Sequence, residues 1–262
     1  MRNRAYVLFV LAIIILFTAA DYALAQRRPD RNRDRDDTVD VDEALAEPLA
    51  PGERLRVFVH LPKVIEHAGL GTCTASSSDP TDFEFTGWHL PTGGVTWMLN
   101  DTTVPASIGM GNALAALQSA FGTWTSADSG EKFTYGGTTI AKKAKRDGTN
   151  AVFWGKLGGR SIAVTFVWSS MTTDEVLEVD MVFNKKFPWA IFSGGGGDCQ
   201  SSPVAYDLQN IATHEIGHWV GLDDLYDSAD VDATMYGFAA GGEIKKRTLS
   251  SGDVAGAAAV AP

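Results

Sequence analysis

The stretch His214-Glu215-Ile216-Gly217-His218-Trp219-Val220-Gly221-Leu222-Asp223-Asp224 restricts what this chain can fold into more than any other part of it. Two histidines four positions apart reach a common point when the backbone between them is helical, because residues i and i+4 lie one turn apart on the same face. In that geometry both imidazoles can hold one Zn2+. Glu215 then stands beside the open metal position, where a carboxylate can take a proton from water whose pKa the metal has lowered to roughly 7. Gly221 allows the left-handed conformation that ends helices, and the turn after it brings Asp224 back as a third ligand. Asp223 and Asp227 offer further carboxylates close by. The helix is expected to run from Tyr206 or Asp207 to Val220, with Asp207 or Ser202 as N-cap and Leu208, Ile211, Ala212, Glu215 and Trp219 at helical spacing.

The segments before it supply a scaffold. Val95 to Asn100 reads as a strand, and Ala106 to Ala127 as an amphipathic helix whose apolar stripe, Ala113, Leu114, Leu117, Phe121 and Trp124, belongs in the core. Strands are expected at Phe133 to Tyr135, Ala151 to Trp154, Ile162 to Trp168 and Val176 to Asn184, and Arg54 to His60 alternates like a further one. Residues 61–86, rich in serine, aspartate and glycine, read as loop. Gly194 to Gly197 form a second loop, without the lysine and serine or threonine that a phosphate-cradling loop needs. This order predicts an α/β or α+β layered fold rather than a helical bundle.

Three more segments extend the pattern: Met235-Tyr236-Gly237 after the helix, Asp180-Met181-Val182-Phe183-Asn184 before it, and Leu249-Ser250-Ser251-Gly252-Asp253-Val254-Ala255-Gly256 near the C-terminus. With Ala116 to Trp124, they give residues 87–262 a pattern that resembles the metzincin zinc metallopeptidases, most closely the matrixin branch. The resemblance implies a twisted mixed sheet, mostly parallel with one antiparallel edge strand. It also implies an active-site helix, a backing helix and a C-terminal helix after the Met-turn. Along the edge would run a cleft that takes an extended peptide as an added strand, and the reaction would be hydrolysis of internal peptide bonds. Met235 would form the floor under the metal, Tyr236 would be an oxyanion donor, and Phe238 to Arg247 would wall the specificity pocket. Calcium is implied as a second ion, with Asp180 as a candidate ligand. The aspartates between 223 and 232 are either further oxygen ligands or solvated loop charges. Where animal matrixins carry a third histidine, this chain has Asp224, as some bacterial relatives do.

The N-terminal region is expected to be processed. Arg2 and Arg4, the apolar run Ala5 to Ala20, and Ala23-Leu24-Ala25 before Gln26 have the layout of a cleaved export signal, with an uncleaved anchor as the competing reading. Cleavage would leave the protein secreted or extracytoplasmic, a monomer without stable membrane association. Residues 26–86 would be a charged linker or pro-segment, and residues 87–262 the catalytic domain. Residues 26–52 mix charges of both signs with few bulky apolar side chains and cannot fold alone. The net charge of −10 argues against nucleic acid or anionic membrane as partner and leaves a protein or peptide substrate.

Cys73 and Cys199 are the only cysteines, and in an exported chain an even count points to a disulfide. The alternative, Cys73 capping the zinc as a thiolate, lacks the proline-arginine-cysteine-glycine context of animal matrixin pro-segments. His60, His67 and His89 have no ligand-like spacing and read as structural. The rival function is a secreted binding protein with purely structural zinc. Against it stands Glu215, which has no task in a closed structural site.

Overall fold

The structure is a computed structural model that describes residues 38–39, 47–63, 78–127, 133–193 and 204–260. The export signal, His67, both cysteines with their expected disulfide, and the Gly194 to Gly197 loop lie outside the described residues. Among the described residues no helix is long and apolar enough to cross a membrane.

In chain order the strands are β1 (Thr38–Val39), β2 (Glu53–Pro62), β3 (Val95–Leu99), β4 (Phe133–Thr138), β5 (Asn150–Leu157), β6 (Ala163–Ser170), β7 (Val176–Asn184), β8 (Trp189–Ala190), β9 (Tyr206–Asp207) and β10 (Phe238–Ala239). Helix α1 (Met110–Thr125) follows β3, α2 (Leu208–Val220) follows β9, and α3 (Ser251–Val260) closes the chain. The main sheet has the order β10-β2-β6-β7-β5-β3-β4, with β1 pairing to β5. Strands β4, β3, β5 and β7 are parallel, and β6 runs antiparallel to β7. The mixed α/β architecture expected from the sequence is therefore present. Helix α1 starts later than Ala106 because a turn occupies 105–109, where the N–H groups of Ile108 and Gly109 both bond to the Pro105 carbonyl.

One expectation changes. The antiparallel strand β6 is not an edge, because β2 pairs antiparallel with it from Glu53–Ser170 to His60–Ala163. The cause lies in the side chains of β2, which alternate between two faces as strand geometry requires. Leu55, Val57 and Val59 pack on the Phe153, Phe166, Trp168 and Val182 cluster, while Phe58 joins the core on the helix side. A strand with apolar partners on both faces stabilises itself by insertion.

On the helix side, aromatic rings tie the layers together. Trp97 of β3 stacks on Phe121 of α1 with centroids 4.5 Å apart, and Phe121 meets Trp219 of α2 edge-on at 5.3 Å. The α1 stripe is thus core, as its spacing indicates. Asp207 caps α2 by accepting from the Asn210 N–H, and its two carboxylate oxygens also take a bidentate pair from Arg247. The entry to α2 is thereby tied to the segment before α3. Replacing Asp207 by alanine removes the cap and leaves Arg247 without its anion. The expected loss is about 3 kcal/mol in urea unfolding, since breaking a buried pair costs about 3–5 kcal/mol.

Candidate active site

Helix α2 ends where Gly221 takes φ 117°, a left-handed conformation, and its N–H bonds back to the Gly217 carbonyl. This turn aims the following residues back along the helix. His214 and His218 are fully buried, with ring centroids 5.0 Å apart. Each ring has its Nδ1 against a backbone carbonyl: His214 on Thr234 at 2.7 Å, His218 on Leu222 at 2.9 Å. A carbonyl can only accept, so Nδ1 carries the proton in the neutral ring and Nε2 is left as a lone pair. Both Nε2 atoms face Asp224 Oδ1, at 3.2 and 3.8 Å.

Of the three nearby aspartates, only Asp224 turns to the histidines. Asp223 pairs with Arg56 at 2.8 Å, and Asp227 accepts the Ala229 N–H. The ligand atoms of His214, His218 and Asp224 all lie within 4.8 Å of one another. His214 Nε2 and Asp224 Oδ1 are buried with no hydrogen-bond partner. Three convergent acceptors without a donor repel one another in a low-dielectric site and are satisfied together by a cation. Two imidazoles and a carboxylate form a donor set suited to Zn2+.

Glu215 lies on the sheet side of the helix. Its Oε2 accepts from Thr165 Oγ1 of β6 at 2.6 Å, and its Oε1 is 3.3 Å from Nδ1 of His60 in β2. Burial raises the Glu215 carboxyl to about 8 despite the threonine bond. Burial likewise lowers His214, to about 4, against the opposing pull of Asp224. Burial, with His214 and Lys246 nearby, holds His60 well below the ordinary range.

The turn at 233–237 is locked from two directions. Asp253 of α3 accepts the N–H groups of Thr234 and Met235 at 2.9 and 3.2 Å, while completing a capping box with Ser250. Lys246, fully buried, donates to the carbonyls of Thr234 and Tyr236. Burial brings its ammonium down to about 8. The Thr234 carbonyl thus serves Lys246 and His214 at once. Met235 sits against Gly217 of α2, where an added Cβ would overlap its Sδ. The hydroxyl bonded to the ligand trio comes from Tyr226, which donates to Asp224 Oδ2 at 3.2 Å. Tyr236, the expected oxyanion donor, packs edge-on against Phe238, with the Lys63 and Lys246 ammonium groups over its ring.

Asp180, considered for calcium from the sequence, has both oxygens engaged by backbone: Oδ2 takes the Lys145 N–H and Oδ1 the Ala151 N–H. Beside it Glu178 accepts from Arg146, Asp147 and Gly148. These carboxylates fasten the 144–151 segment to β7, so Asp180 is a loop anchor, and neither residue falls in a potential metal group among the described residues. His89, read as structural, bridges the Leu90 and Thr173 carbonyls. His60 departs from that reading, because it faces the site. Sequence reasoning also passed over Thr165, Tyr226 and Asp253 as parts of the site, and included Lys246 only within the Phe238 to Arg247 stretch expected to wall the pocket. The alternation that places His60 on the same face as Phe58 was the one available signal; Lys246 sits in a basic run that resembles a solvated surface.

Residues 88–260, most of the chain, match the matrixin family of peptidases, and the protein belongs to that family. Family membership makes it a zinc metallopeptidase type of protein. No curated protein matches the chain.

A Gly217→Ala variant isolates the contact under the site. In an open helix this change stabilises by about 1 kcal/mol. Here overpacking against Met235 is expected to reverse the sign, with a net loss of about 1–3 kcal/mol in thermal unfolding. Combining it with Met235→Ala should cost less than the two single changes added together, with a coupling of about 1 kcal/mol.

Proposed function

We propose that the protein is an exported zinc endopeptidase that hydrolyses internal peptide bonds of an extended peptide or protein substrate. His214, His218 and Asp224 hold the metal, and Glu215 is the general base. The observation that carries this reading is the convergence of three unprotonated ligand atoms beside a buried glutamate that is not itself one of the trio. When bound, Zn2+ supplies Lewis acidity that polarises the scissile carbonyl and acidifies water.

The chain's own groups divide the remaining work. Thr165 holds Glu215 Oε2 and fixes the direction of Oε1. Glu215 takes a proton from water as the hydroxyl adds to the carbonyl carbon, then delivers it to the amine nitrogen as the C–N bond breaks. The Thr234 and Leu222 carbonyls keep both imidazoles turned with Nε2 inward, and Tyr226 orients Asp224. Such outer partners typically change metal affinity by about 10- to 100-fold when lost. Met235, itself buried, fills the space against Gly217 of α2.

One observation favours a second reading. His60, His214 and Glu215 form a second buried group of potential ligands beside the trio, and a ligand set closed by protein side chains is typical of zinc that only holds a fold. In that case the protein binds a partner and Glu215 performs no chemistry.

The two readings separate on a Glu215→Ala variant assayed against a denatured general protein substrate, with zinc measured in each preparation. The variant is expected to keep one zinc per chain and to hydrolyse about 10^2- to 10^4-fold more slowly, the usual contribution of a positioned base. A chelator should abolish the wild-type rate. Equal rates for wild type and variant would overturn the peptidase reading.

A further inference from the structure

Tyr226, whose hydroxyl orients Asp224, also lines a cavity of about 440 Å³. That volume falls within the span of small-ligand pockets, about 300–1,000 Å³. The charges on its walls are all of one sign: Asp82 and Glu84 come from the segment before β3, Asp227 and Asp230 from the turn after α2. The rings of Phe83 and Tyr226 supply its apolar part. Both walls are fixed to the fold. Asp79 takes the Ser251 N–H at 2.7 Å, the Pro80 carbonyl takes the Gly252 N–H at 2.9 Å, and the Glu84 carbonyl takes the Asp223 N–H at 2.9 Å. Across the cavity, Asp227 caps the 3-10 turn Ser228–Asp230 through the Ala229 N–H.

Acidic side chains at a surface are ordinarily solvated, and Asp82, Glu84 and Asp227 are exposed. Asp230 differs. It is only 4% exposed, and among the described residues its carboxylate accepts no hydrogen bond and meets no cation. Burial, with the carboxylates of Asp82, Asp227, Asp253 of α3 and Glu84 around it, holds its carboxyl above the ordinary range. A buried carboxylate without a partner is costly to a fold, and nothing in the packing of the turn offers Asp230 a donor. Its open direction is the cavity, so a cation entering there would meet all four wall carboxylates.

The spacing of those carboxylates selects the kind of cation. A divalent ion needs oxygens gathered at one point, and no three of these residues bring oxygens within 4.8 Å of one another. A guanidinium carries five N–H donors in a planar fork, reaches carboxylates that stand apart, and stacks its faces on aromatic rings such as Phe83 and Tyr226.

We propose that this cavity is a subsite for an arginine side chain of the peptide substrate, with Asp230 at its base and Asp82, Glu84 and Asp227 at its rim. The inference rests on the metallopeptidase reading above. Tyr226 is common to the cavity and to the metal trio, so a peptide whose arginine fills the one lies against the other.

The test titrates the whole chain calorimetrically with N-acetylarginine methylamide and with its citrulline counterpart, which has nearly the same shape and no charge. Wild-type protein should bind the arginine compound at least about tenfold more tightly, as charged hydrogen bonds imply. In Asp230→Asn that preference should fall below about threefold, while thermal unfolding stays level or rises because a repelled charge is gone. Glu84→Gln, at an exposed position, should lower the preference by about threefold, in line with the smaller worth of exposed charges. Zinc-loaded wild type digesting a denatured general protein substrate should place arginine at one fixed distance from the cut bond, read by mass spectrometry, and Asp230→Asn should lose that enrichment.

Equal affinity of wild type for the two compounds overturns the proposal, as does a preference that both variants retain. If Asp230→Asn does not fold, an unchanged preference in Glu84→Gln overturns it instead. Ca2+ that binds wild type and displaces the arginine compound, and that Asp230→Asn does not bind, overturns it in favour of a metal site. Cleavage without arginine enrichment overturns the substrate assignment and leaves the metallopeptidase reading intact. An arginine preference in a wild-type protein that holds zinc and cuts nothing overturns both, and gives the cavity to a basic group of a binding partner.

Discussion

The backbone carbonyl of Thr234 is the point on which the site depends. It accepts from His214 Nδ1 and from the buried Lys246 ammonium, so the tautomer of a candidate metal ligand is set by a turn twenty residues away. That turn cannot hold its shape alone. Asp253 takes its N–H groups, Lys246 takes its carbonyls, and Met235 is pressed against Gly217. Buried polar networks of this kind are stabilising only when every member is satisfied. The loop after α2, the 3-10 turn that carries Lys246 and the start of α3 are therefore committed to one arrangement around His214.

The ligand trio imposes a second constraint, since three inward lone pairs tolerate each other only with positive charge between them. The protein meets it with orientation rather than with nearby cations. Carbonyls hold the rings, Tyr226 holds the carboxylate, and the buried Lys246 ammonium is turned to backbone oxygens. Trp88 and Trp124 bond to carbonyls of α2 itself, at His218 and Thr213, fixing the helix against both neighbouring layers. Both bonds fix where α2 lies, and with it where the His214 and His218 rings and the Glu215 carboxylate stand.

The sheet shows the same economy. A strand with Leu55, Val57 and Val59 on one face and Phe58 and His60 on the other inserts beside β6, because each face finds partners there. Its insertion removes an exposed edge, which would otherwise present a row of unpaired backbone groups. Packing and coverage of the site are thus achieved by the same ten residues.

Much of this was legible in the sequence. The spacing of His214 and His218, the glycine at 221 and the cap at Asp207 determine a helix, its two ends and the face that carries the imidazoles, because each is a local property of the backbone. The period-two strands and the apolar stripe of α1 place the core for the same reason. What is coupled across the chain was not legible: which of Asp223, Asp224 and Asp227 turns inward, that Lys246 is buried, that Asp180 and Glu178 anchor a loop, and that His60 meets His214. Those outcomes depend on partners distant in the chain, such as Lys145 for Asp180, 35 positions away, and Arg56 for Asp223, 167 positions away. Sequence periodicity reports the face on which a side chain lies. Only the assembled sheet and helices decide what that face meets, because the electrostatic and packing terms that select between neighbouring aspartates exist only once the distant segments are in contact.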